Sequence, residues 1–312
     1  MSESKSFIKS IRESAGMRLA VLFGSFFVLL IITSILSQGV NSLPGDPRTH
    51  ALISSGLQCV LAFCIPAYLL SKFSSNNWKA WLKLSQPPKI KALVGVLIVY
   101  GLSMPAMEWL IEWNSNLHLP ESMSGLERLF RGWEDASEAT TKTLLDAHGF
   151  LPVLTGVLII GVLTGFSEEL FFRGGLQGIF TRSSLGTGTS VWLAAFIFSA
   201  MHFQFFGFLP RLLMGVFFGY LLVWTKSIWV PVFAHMLNNS TVVITAALTG
   251  DTTNNLMDAT NTDIYFGGSL YVIASVILTA LYLMVCRDWT FKTHKTHRSI
   301  WQKSQLPPVS GK

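Results

Sequence analysis

Charge is scarce in this sequence: Asp, Glu, Lys and Arg make up only 13% of its 312 residues, against about 25% in an ordinary soluble domain. That shortfall excludes a conventional water-soluble globule. Cysteine is nearly absent, with Cys59, Cys64 and Cys286 the full complement. All three fall within apolar runs or at the end of one, so they read as packing residues and no disulfide framework is expected. Internal repeats and low-complexity tracts are missing. So is a small-x-small cleavage site after the first apolar run, and the stretch from Lys5 to Gln38 therefore reads as a retained first span, not a removed signal.

What the sequence has in abundance is long apolar runs. Half of its residues are hydrophobic, and stretches approaching the ~20 residues that cross a bilayer occur at 17–38, 50–71, 92–113, 150–172, 187–205, 212–225, 229–248 and 266–286. The expected fold is all-α: a polytopic membrane helix bundle of about eight transmembrane helices enclosing a polar cavity. Three parts are expected. Residues 1–149 form an N-terminal membrane region with three helices and an outer loop, 150–248 a core carrying the polar side chains, and 249–312 a last helix with a basic tail.

Charge placement tests the span count independently, because cytoplasmic loops are enriched in Lys and Arg. Eight spans starting from an inside N-terminus put 17 basic residues inside and five outside: Arg48, Arg128, Arg131, Lys142 and Arg211. The outer loops are instead acidic, with Glu121, Glu127, Glu134, Asp135, Glu138 and Asp146 in one and Asp251, Asp258 and Asp263 in another. Both termini are thus expected in the cytoplasm, with the protein in a bacterial inner (plasma) membrane. The net charge of +6 is distributed as topology signals beside membrane segments, which argues for contact with anionic lipid and against nucleic acid. The loop at 114–149 is long enough for an amphipathic helix on the outer surface, where it would serve as a linker or a lid.

Charges at membrane depth each cost about 2.5–3.5 kcal/mol on insertion scales and call for a partner or a task. Glu168, Glu169 and Arg173 form such a group in "GFSEELFFRGG". Helical spacing lets Glu169 pair with Arg173 across one turn, whereas Glu168 is rotated away by about 100°. One carboxylate is then structural and the other available. His202 in "FIFSAMHFQFF", and His235 with Asn239 in "WVPVFAHMLNNS", add two imidazoles and an amide inside apolar runs. A lone histidine on an apolar face is ordinarily a core residue; three spans each contributing polar groups are not. Together they are the parts needed for hydrolysis: glutamate can take a proton from water, imidazole can orient that water or bind a metal, and an amide can donate to an oxyanion. The glycine pairs Gly161/Gly165 and Gly215/Gly219 suit close helix packing and need no chemistry.

At these residues the sequence resembles a known family. "EELFFR" at 168–173 fits an EExxxR motif, "FSAMH" at 198–202 fits FxxxH and "HMLNN" at 235–239 fits HxxxN, in the order found in the CPBP (Abi) intramembrane proteases, relatives of the type II CAAX prenyl endopeptidases. The likeness covers about residues 150–245. It implies Glu168 as the base acting on water, Glu169 and Arg173 as its support, His202 acting with Glu168 on the water or leaving group, and His235 with Asn239 stabilising the oxyanion. The substrate would be a membrane-associated protein or peptide. The family has been described both as metalloproteases and as glutamate-dependent proteases without metal. Zinc would want about three protein ligands, which Glu168, His202 and His235 could supply, yet the helix pattern of common zinc proteases is missing. The balance falls slightly to a metal-free carboxylate mechanism. Two other readings stand beside the protease: a non-catalytic membrane partner such as an immunity or regulatory protein, and a proton-coupled transporter, which the lack of an inverted repeat disfavours.

Depth poses a conflict. If the fourth span is straight and ends at 172, Glu168 lies near the cytoplasmic surface while His202, some 15 residues into the fifth span, lies near the outer one. A shared site then requires tilted or broken helices, with 168–186 re-entering or the fifth span starting below the surface, and a cavity biased to the cytoplasmic side.

Overall fold

A computed structural model describes residues 2–250 and 268–292. The acidic residues Asp251, Asp258 and Asp263, and the tail with His294 and His297, lie outside the described residues. Among the described residues every regular element is helical. An amphipathic helix α1 (Ser2–Glu13) precedes α2 (Ala15–Asn41), α3 (Pro47–Ser74), α4 (Ile90–Ser115), α5 (Ser124–Leu145), α6 (Phe150–Phe180), α7 (Thr187–Ala200), α8 (Phe208–Thr225), α9 (Trp229–Thr249) and α10 (Gly268–Phe291).

Local chemistry sets the boundaries. Ser14 caps α2 by accepting from the Met17 amide, and Asp46 caps α3 by accepting from Thr49, with Pro47 in the first turn where its missing N–H is harmless. Lys226 and Gly250 close α8 and α9 in the left-handed conformation that ends helices. Among the described residues seven helices are long and apolar enough to cross a bilayer; α7, at 14 residues, is a shorter apolar helix. Side chains such as Ile31, Ile35, Leu158, Val276 and Val285 face outward, an apolar exterior that a bilayer, not water, would cover. The chain is an integral membrane bundle.

The bundle has two apolar centres. Phe26, Phe63, Phe171, Phe172 and Phe198 join α2, α3, α6 and α7, while Val96, Phe218, Leu221, Val230 and Ala234 join α4, α8 and α9. Small residues allow the closest approach. A Cβ at Gly165 of α6 would stand 3.0 Å from the backbone nitrogen of Met236 and 3.3 Å from its Cα, so α6 and α9 touch backbone to backbone there. Gly165→Ala is expected to destabilise by about 1–3 kcal/mol through overpacking, read as a lower thermal midpoint in detergent. Because Met236 follows His235, any activity should fall further than stability alone explains.

The depth conflict resolves through helix length. α6 does not end at 172 but continues to Phe180, 31 residues in all, or roughly 46 Å at 1.5 Å per residue. Glu168 lies about 18 Å from its far end. α7 is the mirror case: it stops at Ala200, not 205, and His202 sits in the turn beyond it, about 20 Å along the return path. Both residues thereby reach a similar depth without a broken chain. Neither re-entry of 168–186 nor a fifth span starting at depth is needed. α6 is nonetheless irregular, with π-helical stretches at Val157–Leu163 and Leu170–Leu176 on either side of the α-helical turn Thr164–Glu169. Such widened turns gather at functional positions.

The two ends of the bundle are closed in different ways. The turn after His202 packs beneath α5: Phe205 stacks on Phe130 at 5.1 Å, Phe203 meets Trp133 edge-on, and the Phe206 amide donates to Glu134 at 3.2 Å. The loops with Lys83, Arg182 and Lys226 gather at the opposite end, where Ile228 donates to the Lys83 carbonyl and Arg182 to that of Trp81. Measured along their helices from the basic end, Glu168 lies about 18 Å, His202 about 20 Å and His235 about 9 Å away, so the site sits toward that end of the roughly 46 Å helix α6, with α5 over its other side. α5 is a docked cover, not a detached linker.

Candidate active site

Six residues were singled out in the sequence, and five of them fall in one continuous neighbourhood. Glu169 and Arg173 are fully buried, and Arg173 Nη1 donates to Glu169 Oε1 at 2.7 Å, the one-turn pair that the spacing required. The other face of the guanidinium is equally well held: Nη2 donates to the Gly215 carbonyl at 3.1 Å, and the plane lies 4.5 Å from the Phe198 ring and 5.3 Å from that of Phe218. Arg173 thus stitches α6 to α7 and α8. A buried cation is tolerated there because it meets a carboxylate, a carbonyl and two aromatic faces.

His235 comes from α9 into the same spot. Its Nδ1 donates to Glu169 Oε1 at 2.9 Å, which assigns the tautomer and leaves Nε2 directed to Glu168 Oε2 at 3.7 Å. Phe218 stacks on the imidazole at 5.1 Å and Phe198 meets it edge-on at 6.0 Å. The ring is fixed on both faces and at one nitrogen. Glu168 is the contrasting carboxylate. Its side chain keeps 13% exposure where that of Glu169 has none, and His235 Nε2 is the charged-group contact made within 4 Å. The division into a structural and an available carboxylate is therefore present in the geometry.

His202 and Asn239 are arranged differently from the sequence expectation. His202 lies in the turn after α7, where its Nδ1 donates to the Phe198 carbonyl at 2.8 Å and its ring contacts the Phe198 ring that also borders His235. Its Nε2 is left as an acceptor. Asn239 shares a face of α9 with His235 but turns an amide N–H to the Ile160 carbonyl at 3.2 Å, within the first π-helical stretch of α6, while its own carbonyl accepts from Asn238. A carbonyl displaced from regular helical pairing needs such a donor. Glu168, His202 and His235 do not gather as a metal cage: among the described residues no three His, Cys, Asp or Glu side chains do. One nitrogen of His235 and one of His202 are already committed to protein acceptors. That commitment leaves Nε2 free on each ring, the orientation found in metal-bound and in water-binding imidazoles alike.

Sequence reasoning missed Arg211. It was assigned to an outer loop, yet it occupies the first turn of α8, whose inward face also supplies Gly215 and Phe218. Pro210 directly before it, which the first turn of a helix tolerates because its missing N–H has no intrahelical partner there, was the available signal.

Comparison with known proteins supplies a further set of findings. The sequence profile described as type II CAAX prenyl endopeptidase Rce1-like matches residues 150–241. The membrane-embedded CAAX protease MroQ of Staphylococcus aureus is 30% identical over 232 residues, 70% of this chain and 87% of that protein. Two Bacillus subtilis proteins match over shorter segments. The uncharacterised YpbD is 29% identical over 85 residues, and YdiL, provisionally designated a membrane peptidase, is 31% identical over 108. The matched segments span 40% and 41% of those two proteins. No solved structure matches.

Proposed function

Because the chain belongs to the family of Rce1-like CAAX proteases embedded in membranes, we propose that it is an intramembrane endopeptidase cutting a membrane-associated protein or peptide, with Glu168 as the base that activates water. The observation that carries this reading is the graded pair of carboxylates around one imidazole: Arg173 holds Glu169, Glu169 holds His235 Nδ1, and His235 Nε2 faces the less deeply buried carboxylate of Glu168. With Nδ1 protonated, Nε2 is an acceptor, and an ionised Glu168 is another. Two acceptors 3.7 Å apart are both satisfied by a water that donates one hydrogen to each. That water is the nucleophile, held by two fixed groups before substrate arrives.

The reaction then runs through this chain's own side chains. Glu168 takes the water proton as oxygen attacks the scissile carbonyl carbon, and later returns that proton to the leaving amine. His235 keeps the water aligned, and Arg173 neutralises Glu169 so that a second buried negative charge does not oppose Glu168. His202 Nε2 is the acceptor available to the leaving group's side of the pocket. Asn239 spends one N–H on Ile160 and retains the other for the developing oxyanion.

Terminus mapping tests the reading: membranes from cells expressing the natural chain should contain a new protein terminus that disappears with Glu168→Ala. An unchanged set of termini would leave the transporter or immunity-partner readings standing instead. The mechanism in this reading is metal-free, because a water bridging Glu168 and His235 Nε2 is activated by the carboxylate alone. Purified protein treated with EDTA or 1,10-phenanthroline should therefore keep its activity, and a loss restored by zinc would overturn this part of the reading. Placement in the plasma membrane with both termini in the cytoplasm, following the basic end of the bundle, completes the proposal.

A further inference from the structure

We propose that Arg211 is a catalytic residue, a guanidinium that donates from Nη1 to the oxyanion formed at the scissile carbonyl; this rests on the protease reading above. The argument begins with position. Residues 211, 215 and 218 lie on one face of α8 at i, i+4 and i+7. Gly215 on that face receives Arg173, and Phe218 stacks on His235. Arg211 is one turn further along, beside the turn that carries His202. Ser199 of that segment donates to the Phe208 carbonyl at 2.7 Å, which pins the start of α8 against the end of α7.

Its hydrogen bonding is incomplete in a specific way. Nη2 donates to Gln204 Oε1 at 2.7 Å, which fixes the guanidinium plane, whereas Nη1 is buried with no hydrogen-bond partner. Among the described residues Arg211 makes no ion pair within 4 Å. Gly207 supplies the room: a Cβ there would lie 3.2 Å from Nη2 and 3.6 Å from Nη1. Buried charged donors are ordinarily satisfied, and leaving one unmade is costly. An unfilled donor on the helix face that also meets Arg173 and His235 is the arrangement required where negative charge develops only during reaction.

The balance of the step is simple. As the water oxygen bonds to the carbonyl carbon, its proton passes to Glu168 and the carbonyl π pair moves onto oxygen, where Arg211 Nη1–H receives it. Collapse re-forms the carbonyl, breaks the C–N bond and delivers the proton to the amine. Arg211 begins and ends protonated. Asn239 can supply one N–H, and Arg211 makes the second donor.

The test uses the full chain in detergent with a synthetic peptide spanning the junction found by terminus mapping. Arg211→Ala is expected to lower kcat about 10²–10³-fold, as loss of one oxyanion donor does elsewhere, with KM and thermal midpoint little changed. Added guanidinium should restore part of the kcat of Arg211→Ala and none in Glu168→Gln. Arg211→Lys, which keeps the charge but not the fixed fork, guards against a failure to fold and should remain impaired in kcat. A rise in KM alone, relieved when the peptide's C-terminus is amidated, would overturn the proposal in favour of a carboxylate anchor. Loss of activity that tracks the thermal midpoint, with no guanidinium rescue, would reduce Arg211 to a structural tie with α5. Should Glu168→Gln abolish cleavage while Arg211→Ala leaves kcat intact, this inference alone falls; should the natural chain cut nothing, both fall.

Discussion

Glu168→Gln is expected to lower kcat by about 10²–10⁴-fold, the range that a positioned general base contributes, while KM and the thermal midpoint hold. The amide keeps the shape of the carboxylate and removes its proton affinity, so ground-state binding of the peptide has no reason to change. Stability should hold or rise slightly. Among the described residues the charged-group contact of Glu168 is His235 Nε2 at 3.7 Å, and a largely buried carboxylate is costlier to keep than an amide. Glu168→Asp is the informative companion. It retains the base but withdraws it by one methylene from His235, so the water held between the two acceptors loses its position, and an intermediate kcat is expected. Full activity in Glu168→Gln, measured as peptide cleavage by purified protein, would end the assignment of this residue as base. It would also turn attention to His202, whose Nδ1 is held by the Phe198 carbonyl so that Nε2 is its acceptor.

Much of this was legible in the residues, for reasons that differ from one residue to the next. The pairing of Glu169 with Arg173 was legible because both lie on one helix, where spacing alone fixes the relation. The arrival of His235 at the same carboxylate was legible only as chemistry, since nothing in spacing relates residue 235 to residue 169. The eight apolar helices followed from hydropathy, but their ends did not: "RGGLQGIF" looked like the exit from the membrane because it holds Arg173 and two glycines. In the structure Gly174 and Gly175 are sites of close packing against Leu82 and Leu22, and α6 runs on to Phe180. That one misplaced boundary produced the depth conflict. Arg211 was lost for a related reason. A basic residue before an apolar run reads as a topology signal, and hydropathy cannot tell an arginine at the lipid surface from one sealed under an amphipathic helix. The attachment of α5 by Phe130, Trp133 and Glu134 to the turn at 203–206 is a contact between distant segments, which only the folded chain reveals.

Arg173→Met is expected to be the most destabilising single change in the molecule, by about 3–5 kcal/mol, or to prevent accumulation of the folded protein. Removing one partner of a buried pair leaves the other charge without compensation. Glu169 is poorly placed to bear that: its side chain is fully buried, and Oε2 already has no hydrogen-bond partner. With Arg173 gone, only His235 Nδ1 would support the carboxylate. The double variant Glu169→Leu with Arg173→Met separates stability from chemistry. Replacing both charges by apolar groups of similar volume is often neutral or stabilising by about 1–4 kcal/mol, and the surrounding Phe198 and Phe218 rings offer an apolar lining. Its thermal midpoint should return to that of the natural chain or exceed it. Its activity should not return, because His235 Nδ1 would have lost the carboxylate that orients the ring, and Nε2 would no longer be held toward Glu168. A double variant that is stable and fully active would show that the buried ion pair serves the fold alone, and the chain of support from Arg173 through Glu169 and His235 to the water would have to be abandoned. A double variant that is stable and inactive, with peptide binding retained, is the outcome this geometry requires.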